Sequence, residues 1–226
     1  MNNLIEIKNV IKKYGKNKIL NKVSYSFKKG KIYSLVGPSG SGKSTLLNLL
    51  SLIDRPSSGN IKINNYSIRF SDTDKNDKLR ARKIGIIYQE NNLLADFNAL
   101  ENVYLARLAV DHNKDKAIKD SQLIIKNLGL SKRQDHLPNE LSGGELQRIA
   151  IARALINSPE IILADEPTGS LDFKNAKSVF NILFKLKNTN RLIIFATHNR
   201  YFANKADCKL ELIGGKIKFT NAWTNR

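Results

Sequence analysis

Gly37-Pro38-Ser39-Gly40-Ser41-Gly42-Lys43-Ser44-Thr45 follows an apolar run over residues 32–36. The pattern G-x-x-x-x-G-K-[ST] is that of a Walker A loop. Glycines let successive backbone N–H groups turn inward around phosphates, where a Cβ would collide. Lys43 offers a point charge to the terminal phosphates, and the Ser44 hydroxyl can reach a magnesium ion. A helix starting near Lys43 would aim its positive end at the same anion. The competing reading is a Gly/Ser loop holding an accidental lysine. The strand before it and the helix after it favour a nucleotide cradle.

Outward from this loop the chain alternates strand and helix patterns. Residues 4–10 alternate apolar and polar and read as a strand; 14–17 form a turn, and 19–27 a second strand. A turn at 29–31 feeds the strand before the loop. Residues 44–53 read as an apolar helix, ended by the Asp54-Arg55-Pro56-Ser57-Ser58-Gly59 stretch. Short strands follow at 61–63 and 84–88. From 92 to 158 the period becomes helical, with helices expected over 99–110 and 115–128 and Gly129 as a stop. Core strands resume at 161–164 and 192–196 around a helix at 173–186, a spacing that implies a right-handed parallel crossover. Residues 209–217 read as a closing hairpin, with no further domain expected before Arg226. The fold class is therefore α/β: a P-loop NTPase core of mainly parallel sheet with flanking helices and an antiparallel β portion, carrying an α-helical insert. Residues 1–91 and 159–226 form the core, and 92–158 the helical part.

The bulk numbers bound the function. A chain of 226 residues suits one large domain. A single cysteine, Cys208, rules out an intrachain disulfide framework, and no zinc-type cluster is present. The start of the chain lacks a signal-peptide layout, and no run approaches the roughly 20 apolar residues of a membrane span. Net charge is +18, from 38 Lys+Arg against 20 Asp+Glu. Three readings stand: compositional drift in a Lys-, Asn- and Ile-rich chain, attraction to an anionic membrane leaflet, or nucleic-acid binding. The basic residues are scattered and no nucleic-acid-binding motif accompanies them, so direct contact with nucleic acid is not expected.

Two further segments carry chemistry. Ile161-Ile162-Leu163-Ala164-Asp165-Glu166 is a buried-type strand ending in two acids. A parallel strand delivers its last residues to the ligand edge of the sheet. There Asp165 would hold magnesium and Glu166 would polarise the attacking water. Leu141-Ser142-Gly143-Gly144-Glu145 places a capping serine before a helix expected over 145–156, a second N-terminus suited to phosphate.

With these pieces, the chain resembles an ABC-transporter ATPase subunit from end to end. The resemblance rests on six motifs in order: the Walker A loop, Gln89 after the 84–88 strand, the signature Leu141–Glu145, the Walker B segment ending at Glu166, Ser170-Leu171-Asp172, and His198. It implies ATP and Mg²⁺ as ligands, with Ser44, Gln89 and Asp165 at the metal. Gly37, Pro38, Ser39, Gly40, Ser41, Gly42, Lys43, Ser44, Thr45 and Gln89 would hold ATP, and Tyr14 would stack on adenine. Glu166 and His198 are implied as catalytic. Ser142, Gly143, Gly144 and Glu145 would act in trans on the nucleotide of a second subunit, with Asp172 coupling the two sites. A homodimer in the ATP-bound state follows. Glu145 stands where glutamine is more usual, and Asn199 follows the histidine where aspartate is frequent.

Within the family, Ala164-Asp165-Glu166-Pro167-Thr168-Gly169 is similar to the lipoprotein-releasing, macrolide-exporter and cell-division group. The run Leu93-Leu94-Ala95-Asp96-Phe97-Asn98-Ala99-Leu100-Glu101-Asn102-Val103 most resembles the lipoprotein-releasing branch. That implies integral membrane permease subunits of the LolC/LolE kind as partners, at the cytoplasmic face of a bacterial inner membrane. A drug or peptide exporter and an FtsE-like division complex remain as alternatives. Leu93, Leu94 and Phe97 are expected either to receive the membrane partner or to anchor the helical part on the core.

Overall fold

The computed structural model describes residues 3–220. The readings of the first two residues and of the last six lie outside them. In chain order the elements are β1 (Asn3–Tyr14), β2 (Asn17–Lys28), β3 (Ile32–Val36), α1 (Lys43–Leu50), β4 (Ser58–Ile63), β5 (Tyr66–Ser67), α2 (Thr73–Lys83), β6 (Ile84–Ile87), α3 (Ala99–Leu108), α4 (Lys114–Asn127), α5 (Gly143–Leu155), β7 (Ile161–Asp165), α6 (Phe173–Lys185), β8 (Leu192–Ala196), α7 (Arg200–Ala203), β9 (Cys208–Ile213) and β10 (Lys216–Thr220).

Two sheets form. The larger runs β10-β9-β3-β8-β7-β6, parallel throughout except for the β9–β10 hairpin. Its central strands are buried on both faces, which is why 161–164 and 192–196 are unbroken apolar runs rather than alternating ones. The smaller sheet is antiparallel, in the order β2-β1-β4-β5. Leu4, Ile5, Val10 and Phe27 of the small sheet meet Leu35 and Leu163 of the large one in a single apolar cluster around Leu46, Leu49 and Leu50 of α1. The other face of the large sheet packs on α5 and α6 through Ile151, Val179, Phe180 and Phe195. A third cluster joins α3, α4 and α5 around Val103, Ile125 and Ile149. Among the described residues no helix is long and apolar enough to cross a membrane.

Several boundaries differ from the sequence reading. β1 runs on to Tyr14, past the end of clean alternation, because bulges at Val10–Lys13 break the period without ending the pairing. The first helix stops at Leu50 rather than residue 53. Leu52 takes a left-handed φ of 61°, and the amides of Ile53 and Asp54 both turn back to the Asn48 carbonyl. The signature glycines belong to the helix rather than to a loop before it. α5 starts at Gly143 because Ser142 and Glu145 close a reciprocal capping box, an arrangement worth about 1 kcal/mol. α2 has no apolar periodicity to announce it, and its only buried residue is Asn76.

Candidate functional site

The loop between β3 and α1 builds an anion cradle with an unusual helix start. Gly42 occupies the N-cap position at φ 100° with no side-chain cap, and the first turn holds no acid. Its amide donors are therefore left for a ligand. Gly37 at φ 152° admits no side chain, since a Cβ there would lie 2.3 Å from the Leu212 carbonyl oxygen. Lys43 is buried, and its ammonium donates to the Gly37 and Pro38 carbonyls at 3.0 and 3.2 Å. The cation thus lies folded over its own loop.

β7 and β8 bring the other charged groups to this edge. Asp165 ends β7 in register with Ala196 of β8. Its Oδ1 is buried with no hydrogen-bond partner. Glu166 follows in the left-handed region at φ 44°, a conformation costing about 1–3 kcal/mol that concentrates at functional sites. Its amide donates to the Ala196 carbonyl, which fixes the turn. The backbone N–H of His198 donates to Glu166 Oε2 at 3.2 Å, and His198 Nε2 lies 3.2 Å from Oε1 in a geometry that makes no hydrogen bond. The same Nε2 is 3.4 Å from the Lys43 ammonium.

These groups share one cavity of about 350 Å³ with Tyr14, Ser39, Gly40, Gly42, Ser44, Thr45 and Gln89. Ile19 of β2 also lines it; nothing in the sequence marks it, because a β-branched residue in a strand is unremarkable. Asp165 Oδ1 is a hard oxygen donor lacking a partner, and Ser44 and Gln89 line the same cavity. That donor set fits a magnesium ion. Gln89 packs on Gly169, where a Cβ would lie 3.0 Å from Nε2.

The signature residues stand apart from this cavity. Ser142 and Gly143 are exposed at the start of α5. The Ser142 amide and hydroxyl both donate to Glu145 Oε2, at 2.9 and 2.8 Å, and Arg133 donates to Oε1 at 2.8 Å. The Ser142 bonds and then the Arg133 guanidinium hold the Glu145 carboxyl down at about 2. Asp172 caps α6, accepting from the Asn175 amide at 3.0 Å, and Asn175 lies against Gly144, so both segments share one face.

α5 ties that face to the region after β6. Arg153 donates to the carbonyls of Asn92 and Asn91 at 2.6 and 2.7 Å, and both asparagines have positive φ. Gln147 donates to the Tyr88 carbonyl at 3.4 Å. A cleft of about 380 Å³ lies here, lined by Tyr88, Asn92, Ala106 and Arg153. Leu93 packs into the helical cluster, so it anchors the segment, whereas Leu94 and Phe97 are exposed. Of the two expectations, anchoring describes Leu93, and Leu94 and Phe97 are left at the surface.

Residues 20–169 match the profile of a family described as ABC transporter. The chain is 41% identical over 224 residues to the lipoprotein-releasing system ATP-binding protein LolD of Rickettsia bellii, covering 97% of this chain and 99% of that protein. It is 42% identical over 95% of its length to the macrolide export ATP-binding/permease protein MacB of Campylobacter jejuni, covering 33% of that longer protein. Among solved structures, the ATP-binding cassette MJ0796 matches with TM-score 0.89 at 35% identity, covering 98% of this chain and 100% of that one; that structure is a dimer in a post-hydrolysis state bound to ADP and Pi.

Proposed function

The chain belongs to the ABC transporter family as an ATP-hydrolysing subunit, and from that premise we propose how its residues divide the work and what the motor drives. The observation that carries the reading is the meeting of Lys43, Asp165, Glu166 and His198 at one cavity. The ammonium of Lys43 exchanges two carbonyls for the terminal phosphate oxygens, and the free amides of α1 take the remaining charge. Ser44, Asp165 and Gln89 would hold magnesium, whose charge would offset that of the phosphates. Glu166 accepts the proton of the water that attacks the γ-phosphorus as the bond to the ADP oxygen breaks. His198 orients the water and the phosphate. Tyr14 stacks on the base.

One face of the γ-phosphate stays open to solvent in a single chain. We assign Ser142, Gly143, Gly144 and Glu145 of a second copy to that face, with Asp172 beside them linking the two sites. ATP then joins two copies and hydrolysis parts them. The dimeric MJ0796 cassette supports this reading. Ser142→Arg puts a bulky cation at the interface and should reduce ATPase activity by about 100-fold or more, the scale of losing one transition-state donor set. ATP affinity of the isolated chain should change less than twofold. Normal cooperative turnover in the variant refutes the trans arrangement.

We read residues 92–158 as the helical unit beside the core of 1–91 and 159–226, with α5 packed both in the helical cluster and on the large sheet. The membrane partner docks on the segment after β6, whose Asn92 lines the cleft and whose Leu94 and Phe97 are exposed. Phe97→Ala should leave the thermal midpoint within about 2 °C, as expected for a residue outside the core, while association with partner-containing membranes falls severalfold. A large thermal shift with unchanged association would assign Phe97 to packing alone.

The relatives named LolD support lipoprotein release as the driven process; we place the chain at the cytoplasmic face of the inner membrane, with LolC/LolE-like permeases. The test is ATP-dependent release of an acylated protein from proteoliposomes holding this chain and its permeases. The MacB similarity supports a second reading, and macrolide efflux without lipoprotein release in the same vesicles would select it.

A further inference from the structure

Tyr14 is not a free ring at the mouth of the cavity. Its hydroxyl donates to Asp54 Oδ2 at 2.6 Å. The Lys12 ammonium lies over the ring, 4.6 Å from its centroid. Lys12 is itself pinned, donating to Asp54 Oδ1 at 2.5 Å and to the Arg55 carbonyl at 2.9 Å. The Arg55 amide donates to the same Asp54 oxygen at 2.7 Å. Lys12 is 7% exposed, whereas Tyr14 is 49% exposed. The network is therefore buried on its lysine side and open on the ring.

The topology gives this cluster its meaning. Lys12 and Tyr14 are two residues apart on β1, and their contacts with each other and with Asp54 bring both to one side of the strand. Asp54 arrives from the other direction, on the turn after α1. The helix that begins at the phosphate cradle thus ends by holding the tyrosine. Burial pushes the Asp54 carboxyl up, but bonds from Lys12 and Tyr14 outweigh it and leave the group below its ordinary value, so it is an anion at neutral pH. The hydrogen bonds of Lys12 and Asp54 close on the ring or on its anchor at Arg55.

We propose that Asp54 and Lys12 are positioning residues for base recognition: they fix the Tyr14 ring in place before the nucleotide arrives and tie that ring to the phosphate-binding helix. The proposal rests on the reading of Tyr14 as the base-stacking residue. Its physical content is preorganisation, since a ring already immobilised loses less freedom when a base stacks on it. Lys12 covers ring surface by a cation–π contact and leaves the exposed part for the base.

The test compares ATP with inorganic tripolyphosphate, which carries the phosphates and no base, by calorimetry on the full chain. The wild type should prefer ATP, and Tyr14→Ala should remove that preference. Asp54→Ala and Lys12→Met should each reduce the preference by about threefold to tenfold, the range for one freed side chain, with tripolyphosphate affinity unchanged. Tyr14→Phe, which deletes only the hydroxyl, should match Asp54→Ala, and Asp54→Asn, which keeps an acceptor for it, should restore part of the preference. If Tyr14→Ala removes the preference but Tyr14→Phe, Asp54→Ala and Lys12→Met do not, the positioning proposal fails and base stacking stands. If Tyr14→Ala itself leaves the preference intact, the stacking reading fails and takes the proposal with it. A parallel loss for both ligands would mark the cluster as structural and overturn the proposal.

Discussion

Replacing Glu166 by glutamine lowers steady-state ATP hydrolysis by about 10²–10⁴-fold, the usual contribution of a positioned general base, while ATP binding is retained. The amide keeps the shape of the side chain and its contact with the His198 backbone, but it cannot take a proton from water. The left-handed turn at Glu166 survives because the backbone, through the amide-to-Ala196 bond, sets it. Blocked turnover then traps the ATP-bound state, so the variant should elute as a dimer in Mg-ATP when the wild type does not. A variant with near-wild-type turnover would move the base function elsewhere. A variant that is inactive yet monomeric at high concentration with ATP would leave the catalytic assignment intact and show that closure needs the membrane subunits.

Lys43→Ala weakens ATP binding by about 100-fold or more, as expected when a charge-assisted donor is lost from a desolvated anion site. The effect has two sources. The phosphate loses its buried cation, and the Gly37 and Pro38 carbonyls lose the donor that satisfied them in the free loop. Equilibrium binding of a fluorescent ATP analogue measures the first, and thermal denaturation without nucleotide measures the second. Micromolar affinity in the variant would remove Lys43 from the phosphate site.

The sequence carried the site more fully than it carried the scaffold. The cradle, the paired acids and the signature each depend on local residue order, so their spacing survives in the linear text. The central strands were equally legible, because burial on both faces leaves an unbroken apolar run. α2 was not legible: its residues are mostly charged, and it is held by the tertiary bonds of Asn76 and Arg80 rather than by an apolar stripe. Ile19 and the Lys12–Asp54 pair were missed for a different reason. Their importance comes from contacts between β1, β2 and the turn after α1, with Lys12 and Asp54 standing 42 positions apart in the chain, and no local pattern records such a meeting. Leu93, Leu94 and Phe97 formed one apolar group in the sequence, and only packing divides them into an anchor and two exposed side chains.

α5 is a rod of 13 residues, about 20 Å long, with the signature serine at its head and Arg153 gripping Asn91 and Asn92 near its tail. A rod transmits displacement without amplifying or absorbing it. If the membrane partner shifts the Asn91–Asn92 loop, the head of the rod shifts by a similar distance, and a few tenths of an ångström decides whether a phosphate contact forms. On the proposed docking, the grip at Arg153 would set the backlash of the machine. Shortening it to lysine should leave each end working alone, with ATP bound and the permease held, while transport falls out of step with hydrolysis. ATP consumed per molecule moved is the quantity that would rise.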